Sequence, residues 1–302
     1  MGGSPGRQAL PAERDENFPV ALRVLPQALR DDLHAVYEFA RTVDDLGDRA
    51  PGDRTRLLTG VRHDLRRIWD GEVPDLPVLQ RLSTVVLGHD LDLAPFDHLV
   101  EANLVDQQVT RYRTFDDLLG YCRLSADPVG RIVLGLLDHR DPATAVLSDR
   151  VCTALQLLEH WQDVGEDRRA GRVYLPLGDL EAFGVPLEDL DATTTSERLR
   201  ALLRFETERA ACLLESGAPI VRELHGWGRV AVAGYVAGGR ATVAALRRND
   251  LDVLARQVRP RRSDVVTEVF GLLSSAALHH RLPRLHALTR TRRQPGARDV
   301  VA

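Results

Sequence analysis

Three cysteines in 302 residues, Cys122, Cys152 and Cys212, are too few, too scattered and too odd in number for a disulfide framework or a zinc site. Their scarcity points to a reducing compartment, the cytoplasm by default. The strongest apolar stretch of the later chain, VAVAGYVAGG between Arg229 and Arg240, is half of the roughly 20 residues needed to cross a bilayer. No apolar core of the signal-peptide kind follows the initiator methionine, and residues 1–16 read as a loose leader. The formal net charge of -4, with a pI near 6.2, leaves no basic footprint, so no nucleic-acid partner is expected. Runs of alternating β-branched residues bounded by tight-turn dipeptides are missing as well, which excludes a sheet. Without a preceding strand, Gly234, Gly238 and Gly239 of GYVAGGR read as helix-packing residues and not as a nucleotide loop.

What remains is a helical protein. Hydrophobic residues make up 44% and charged residues 28%, enough apolar material for a sizeable core and too much for general disorder. Leu33, Val36, Tyr37 and Ala40 recur at helix spacing, as do Leu57, Val61, Leu65 and Ile68. Thr114 with Asp117, and Thr194 with Glu197, have the spacing of capping boxes, and Ser148 precedes the apolar run VCTALQLL. The pattern predicts an all-α, single helical domain over 17–280. The tail 281–302 is rich in arginine and broken by two prolines, and two readings are open for it: a solvated end, or a peripheral contact with anionic lipid head groups at the inner face of the membrane.

Two short stretches concentrate acid on helical turns. In FARTVDDLGD, Asp44 and Asp48 stand four apart, with Asp45 three before Asp48 and Arg41 three before Asp44. In QDVGEDRRAGRVYLP, Asp163 and Asp167 repeat the spacing, Glu166 lies three after Asp163, and Gln156 and His160 precede on the same face. Carried backwards, the Asp44 face meets Ala40, Tyr37 and Leu33, so the acids extend an apolar stripe and need a counter-charge there. A single acidic pair is ordinary helix punctuation. Two D-x-x-x-D turns suit a hard cation: Mg²⁺ takes oxygen ligands, keeps several waters, and is held by one or two carboxylates plus phosphate oxygens. Arginines and Tyr174 of RRAGRVYLP would complete an anion site, since guanidinium meets phosphate as a fork. His160 suits Mg²⁺ poorly and reads first as a packed histidine.

ENFPVALRVLP, YEFARTVDDLGD, YCRLSADPVGR and LQLLEHWQDVGEDRRAGRVYLP, in that order between Asn17 and Asn249, resemble the successive signatures of the squalene and phytoene synthase family. The first, third and fourth are most similar to its bacterial hopanoid-pathway branch, the hydroxysqualene synthases. The resemblance implies an isoprenoid synthase fold, a helical bundle around a central apolar cavity. It further implies a prenyl diphosphate substrate, presqualene or farnesyl diphosphate, and Mg²⁺ held by Asp44, Asp45, Asp48, Asp163, Glu166 and Asp167. It places Arg41, Arg172, Tyr174 and Gln156 at the diphosphate, and Tyr121, with Asp44 and Asp163, at the chemistry. Conversion of presqualene diphosphate to hydroxysqualene without NADPH is the reaction it favours. Head-to-head condensation to squalene or phytoene stays open, as does a non-catalytic helical partner of another pathway enzyme. Two positions depart from the family pattern: Glu159 stands where asparagine is common, and Asp127 where glycine is common.

Overall fold

The computed structural model describes residues 25–290, with side chains described through residue 276. Residues 1–24 and 291–302, which include the leader and most of the basic tail, lie outside the described residues.

The chain opens with α1 (Gln27–Asp48), whose core face is Leu33, Val36, Phe39, Val43 and Gly47, a spacing of three and four. Asp44 and Asp48 therefore stand one position beyond Val43 and Gly47. They flank the buried stripe and do not extend it, because that stripe runs through Phe39 and Val43 while Tyr37 and Ala40 lie half-buried at its edge. α2 (Arg54–Arg66) starts on Asp53, whose side chain accepts from the Arg56 amide. It is followed by α3 (Pro77–His89) and α4 (Leu93–Val105). These helices enclose a first apolar cluster in which Phe39 meets Phe96 edge-on, ring centroids 5.8 Å apart.

α5 (Phe115–Ser125) carries the expected capping box, Thr114 and Asp117 each bonding the other's backbone amide. α6 (Asp127–Leu136) leads to the long α7 (Pro142–Gln162), which begins at Asp141, not at Ser148: Asp141 accepts from the Thr144 amide, and Ser148 is buried within the helix. α7 ends at Asp163, whose backbone (φ -104°, ψ 16°) leaves the helical range before the short α8 (Val164–Arg169).

After α9 (Leu177–Ala182) and a 3₁₀ turn (Leu187–Asp191) comes α10 (Glu197–Gly217). Its cap is Ser196, accepting from the Leu199 amide, and not Thr194. α11 (Ile220–Glu223), α12 (Gly226–Arg248) and α13 (Arg262–Arg290) complete the described chain, α13 running through Arg281.

α7 is the central helix, packed on α6, α10 and α12. Glycine makes the last contact close: a Cβ on Gly239 would lie 2.8 Å from Leu214 Cδ2 and 2.9 Å from Leu155 Cδ2, so Gly239 serves helix packing, whereas a Cβ on Gly238 would meet nothing within 4 Å. Among the described residues no strand forms and no helix is long and apolar enough to cross a membrane. One parallel bridge, Arg111 with Val173, is the exception to helix and loop.

Candidate active site

That bridge builds the site. Val173 N–H donates to Thr110 O, Leu177 N–H to Tyr112 O and Gly178 N–H to Arg113 O, clamping segment 172–178 alongside 110–113. The pairing brings Tyr112 and Tyr174 into ring contact, centroids 5.9 Å apart and nearly parallel, with Tyr121 of α5 within 5.8 Å of both. Tyr174 in turn stacks on His160 at 3.7 Å. α9 is locked behind this segment by Arg209, which bonds Asp179 at 3.1 Å and both oxygens of fully buried Glu206 at 3.3 Å while lying over the Phe115 ring. Burial, with Asp179 adjacent, pushes Glu206 up to about 8.

The acids of α1 form the first rim. Asp48 accepts from Arg172 Nη2 at 2.6 Å; Asp45 lies between Arg41 at 3.4 Å and Arg49 at 3.1 Å. Asp44 accepts from Asn103 Nδ2 at 3.0 Å, an approach of α4 to α1 that Gly47 permits, since a Cβ there would sit 2.4 Å from Asn103 Oδ1. Asp44 keeps an exposed edge, yet the surrounding protein crowds it. That desolvation, with repulsion from Asp48 and Asp45, pushes its carboxyl above the ordinary value against the pull of Asn103 and Arg41. Arg172 was expected at a diphosphate; here its guanidinium holds Asp48. Burial opposes its charge, but the Asp48 hydrogen bond, with Tyr174 and Asp106 beside it, keeps the cation firmly protonated.

The second rim follows the break in α7. Glu166 and Asp167 both donate their amides to Asp163 O, at 2.9 and 2.8 Å, so the acidic turn survives although the helix bends at Asp163. Asp163 is pushed up to about 6, by burial first and then by Asp167 and Glu166. His160 Nδ1 lies 3.7 Å from Asp167, and its Nε2 is 3.2 Å from the Gln156 side-chain nitrogen. Glu159 points to solvent. Interactions thus run from one rim to the other: Asp48 bonds Arg172, whose charge acts on Tyr174, and Tyr174 stacks on His160 beside Asp167.

Two residues that no motif singled out complete the site. Asp106, just past α4, accepts the Tyr121 hydroxyl at 2.7 Å, and burial, with Asp48 and Asp44 nearby, pushes it up to about 6 although Tyr121 and Arg172 oppose. Tyr112 is 5% exposed, and burial followed by the Asp106 charge raises its phenol. Asp127 is not at this centre: it is buried at the start of α6, accepting from Thr153 at 2.7 Å, and burial, with Asp149 beside it, pushes it up to about 6.

The acids of the two rims offer carboxylate oxygens, and repulsion among them is only partly met by arginine. Such a set fits a hard cation and not a soft one. Among the described residues no group of three or more aspartate, glutamate, histidine or cysteine side chains is arranged to hold a metal ion by itself. A cation shared with phosphate oxygens and water needs none.

A helical bundle that forms no strand among the described residues, and that superposes on a squalene synthase and a dehydrosqualene synthase, is an isoprenoid synthase, the class that works on prenyl diphosphates. The chain belongs to the squalene/phytoene synthase family, whose model matches residues 12–264. Membership sets aside the reading as a non-catalytic helical partner. It is 34% identical to a hydroxysqualene synthase of Rhodopseudomonas palustris over 270 residues, 87% of this chain and 89% of that one. A phytoene synthase of Mycobacterium tuberculosis is also 34% identical, over 69% of this chain and 70% of its own. The squalene synthase HpnC from Alicyclobacillus acidocaldarius superposes with a TM-score of 0.74 at 37% identity, covering 80% of this chain and 91% of its own.

Proposed function

We propose that the chain converts presqualene diphosphate to hydroxysqualene and free diphosphate, with Mg²⁺ and without NADPH. The observation that carries the reading is the 2.6 Å contact of Arg172 with Asp48, which sets a phosphate-matching guanidinium between two groups of carboxylates and above a tyrosine floor. Asp44, Asp45 and Asp48 on one rim, and Asp163, Glu166 and Asp167 on the other, would hold Mg²⁺, which when bound supplies charge stabilisation to a departing diphosphate.

The protein's own groups carry the remaining work. Arg172, exchanging Asp48 for phosphate oxygens, fixes the diphosphate as a fork; Arg41 and the Tyr174 hydroxyl support it, and Gln156 orients His160 beneath Tyr174. Heterolysis of the cyclopropylcarbinyl C–O bond sends the electron pair to diphosphate, and opening of the cyclopropyl ring spreads the positive charge. Tyr121, fixed by Asp106, faces that charge with its ring, and the apolar floor denies it other nucleophiles until one water adds. Similarity to the R. palustris hydroxysqualene synthase along nearly the whole chain supports this ending.

A second reading, head-to-head condensation of two prenyl diphosphates, is favoured by the equal identity to the M. tuberculosis enzyme. Presqualene diphosphate and farnesyl diphosphate, offered separately with Mg²⁺ and no NADPH, separate the two. The proposal expects a C30 alcohol from the former at the higher kcat/KM. A hydrocarbon built from two prenyl diphosphates, with presqualene diphosphate left unturned, would replace it by the second reading.

A further inference from the structure

Two polar atoms inside the tyrosine cluster have no partner. Tyr112 Oη and Asp106 Oδ1 are closed to solvent and meet no donor or acceptor, while the other Asp106 oxygen is engaged by Tyr121 at 2.7 Å. Leaving a buried phenol and a buried carboxylate oxygen unsatisfied costs roughly 1–3 kcal/mol each. Proteins meet such pairs with an enclosed water that makes two to four hydrogen bonds. Tyr112 and Asp106 both border Tyr121: the Tyr112 ring lies 5.5 Å from the Tyr121 ring, and the Tyr121 hydroxyl ends on Asp106. A phenol that donates and a carboxylate that accepts are the two partners one water requires.

We infer that Asp106 and Tyr112, braced by Tyr121, seat a single water at the inner end of the site, and that this water is the nucleophile, giving its proton to Asp106. The inference rests on the hydroxylation reading above. In the step, a water lone pair forms the C–O bond to the cationic carbon, one O–H bond breaks, and the proton passes to Asp106 Oδ1. The cation's positive charge leaves as that proton, so neither oxidant nor reductant is needed. The acids of the rims are unsuited to the task because they stand where bulk water and diphosphate enter. Asp106 is half-buried but keeps its Oδ1 closed to solvent, and delivers one water. The groups facing it are the Tyr121, Tyr112 and Tyr174 phenols, Arg172, and the Asp44 and Asp48 carboxylates. Arg172 favours its ionised, proton-accepting form, and the two carboxylates ease its protonation afterwards.

Product partition tests this. The full chain is given presqualene diphosphate and Mg²⁺ in ¹⁸O water, and labelled alcohol is counted against diphosphate released in the same vial. Wild-type protein is expected to give one labelled alcohol per diphosphate. Asp106→Asn keeps an acceptor for Tyr121 but not a base, and the ratio should fall about a hundredfold or more, the lower end of what a positioned base contributes. The balance should appear as C30 hydrocarbons formed by proton loss. Tyr112→Phe, which retains the ring packing, should lower the ratio by a smaller factor with the melting temperature held. A wild-type ratio in folded Asp106→Asn, or in Tyr112→Phe should the first variant not fold, overturns the inference alone. Wild-type protein that gives no labelled alcohol overturns the hydroxylation reading and the inference together.

Discussion

Replacing Asp127 by asparagine should make the protein more stable at pH 8, by an amount that shrinks as the pH falls. Asp127 is 5% exposed, and its hydrogen-bond partner is the Thr153 hydroxyl, with Asp149 near enough to repel it. Its carboxyl is pushed from 3.8 up to about 6, so ionisation is disfavoured in the folded chain relative to the unfolded one. Two pK units at about 1.4 kcal/mol each set an upper bound of about 3 kcal/mol on the cost of keeping this charge buried above pH 6. Between pH 6 and 3.8 the folded state binds the extra proton, so the cost disappears progressively as pH drops through that window. Asparagine offers the same acceptor to Thr153 without the charge. At roughly 2 °C per kcal/mol, the low end of the range for 150–250 residues because this chain is longer, Asp127→Asn should melt about 5 °C higher than wild type at pH 8. The difference should narrow from pH 6 downward and be gone near pH 4. Thermal melts followed by circular dichroism across that range check it, with Thr153→Val as a control that should lose roughly 1–3 kcal/mol. A lower melting point for Asp127→Asn at pH 8, or a difference that ignores pH, would refute the assignment of a costly buried charge.

Asp163→Asn and Asp44→Asn should each abolish turnover yet leave the metal-free protein as stable as wild type or slightly more so, because each removes repulsion within its rim; kinetics and melts without Mg²⁺ check both. Since a cation needs the ionised carboxylate and Asp163 lies up at about 6, Mg²⁺ titrations should show affinity falling as pH drops through that value. Arg172→Lys should lower kcat/KM by roughly 10- to 100-fold, because a point charge replaces a fork; unchanged kinetics would remove Arg172 from the diphosphate site. Arg209→Met strands Glu206 and Asp179 and should cost roughly 3 kcal/mol at pH 8, read as a lower denaturation midpoint.

Short-range physics was legible in the sequence. The helices follow from apolar spacing, and the Thr114 capping box from residues three apart. Two helix starts lay away from the expected residues: Ser196, not Thr194, caps α10, and Asp141 starts α7 with Ser148 buried inside the helix. The bend at Asp163 was hidden because the acidic turn keeps its hydrogen bonds across it. The harder part of the candidate site is long-range. Arg172 meets Asp48 across 124 positions, and no local pattern predicts that pairing. Asp106 and Tyr112 belong to no acidic or aromatic motif, and only the pairing of 110–113 with 172–178 discloses them. A weak signal existed in Asn103, Asp106 and Gln107, polar residues at helical spacing closing the apolar run of α4.

The central claim is that these two rims expel diphosphate from presqualene diphosphate and that water, not hydride, ends the reaction. A single turnover with stoichiometric enzyme in ¹⁸O water, with Mg²⁺ and no nicotinamide, tests it most directly. The expected result is one diphosphate and one C30 alcohol carrying one ¹⁸O. An unlabelled C30 hydrocarbon, or a product that forms only after NADPH is added, would contradict it.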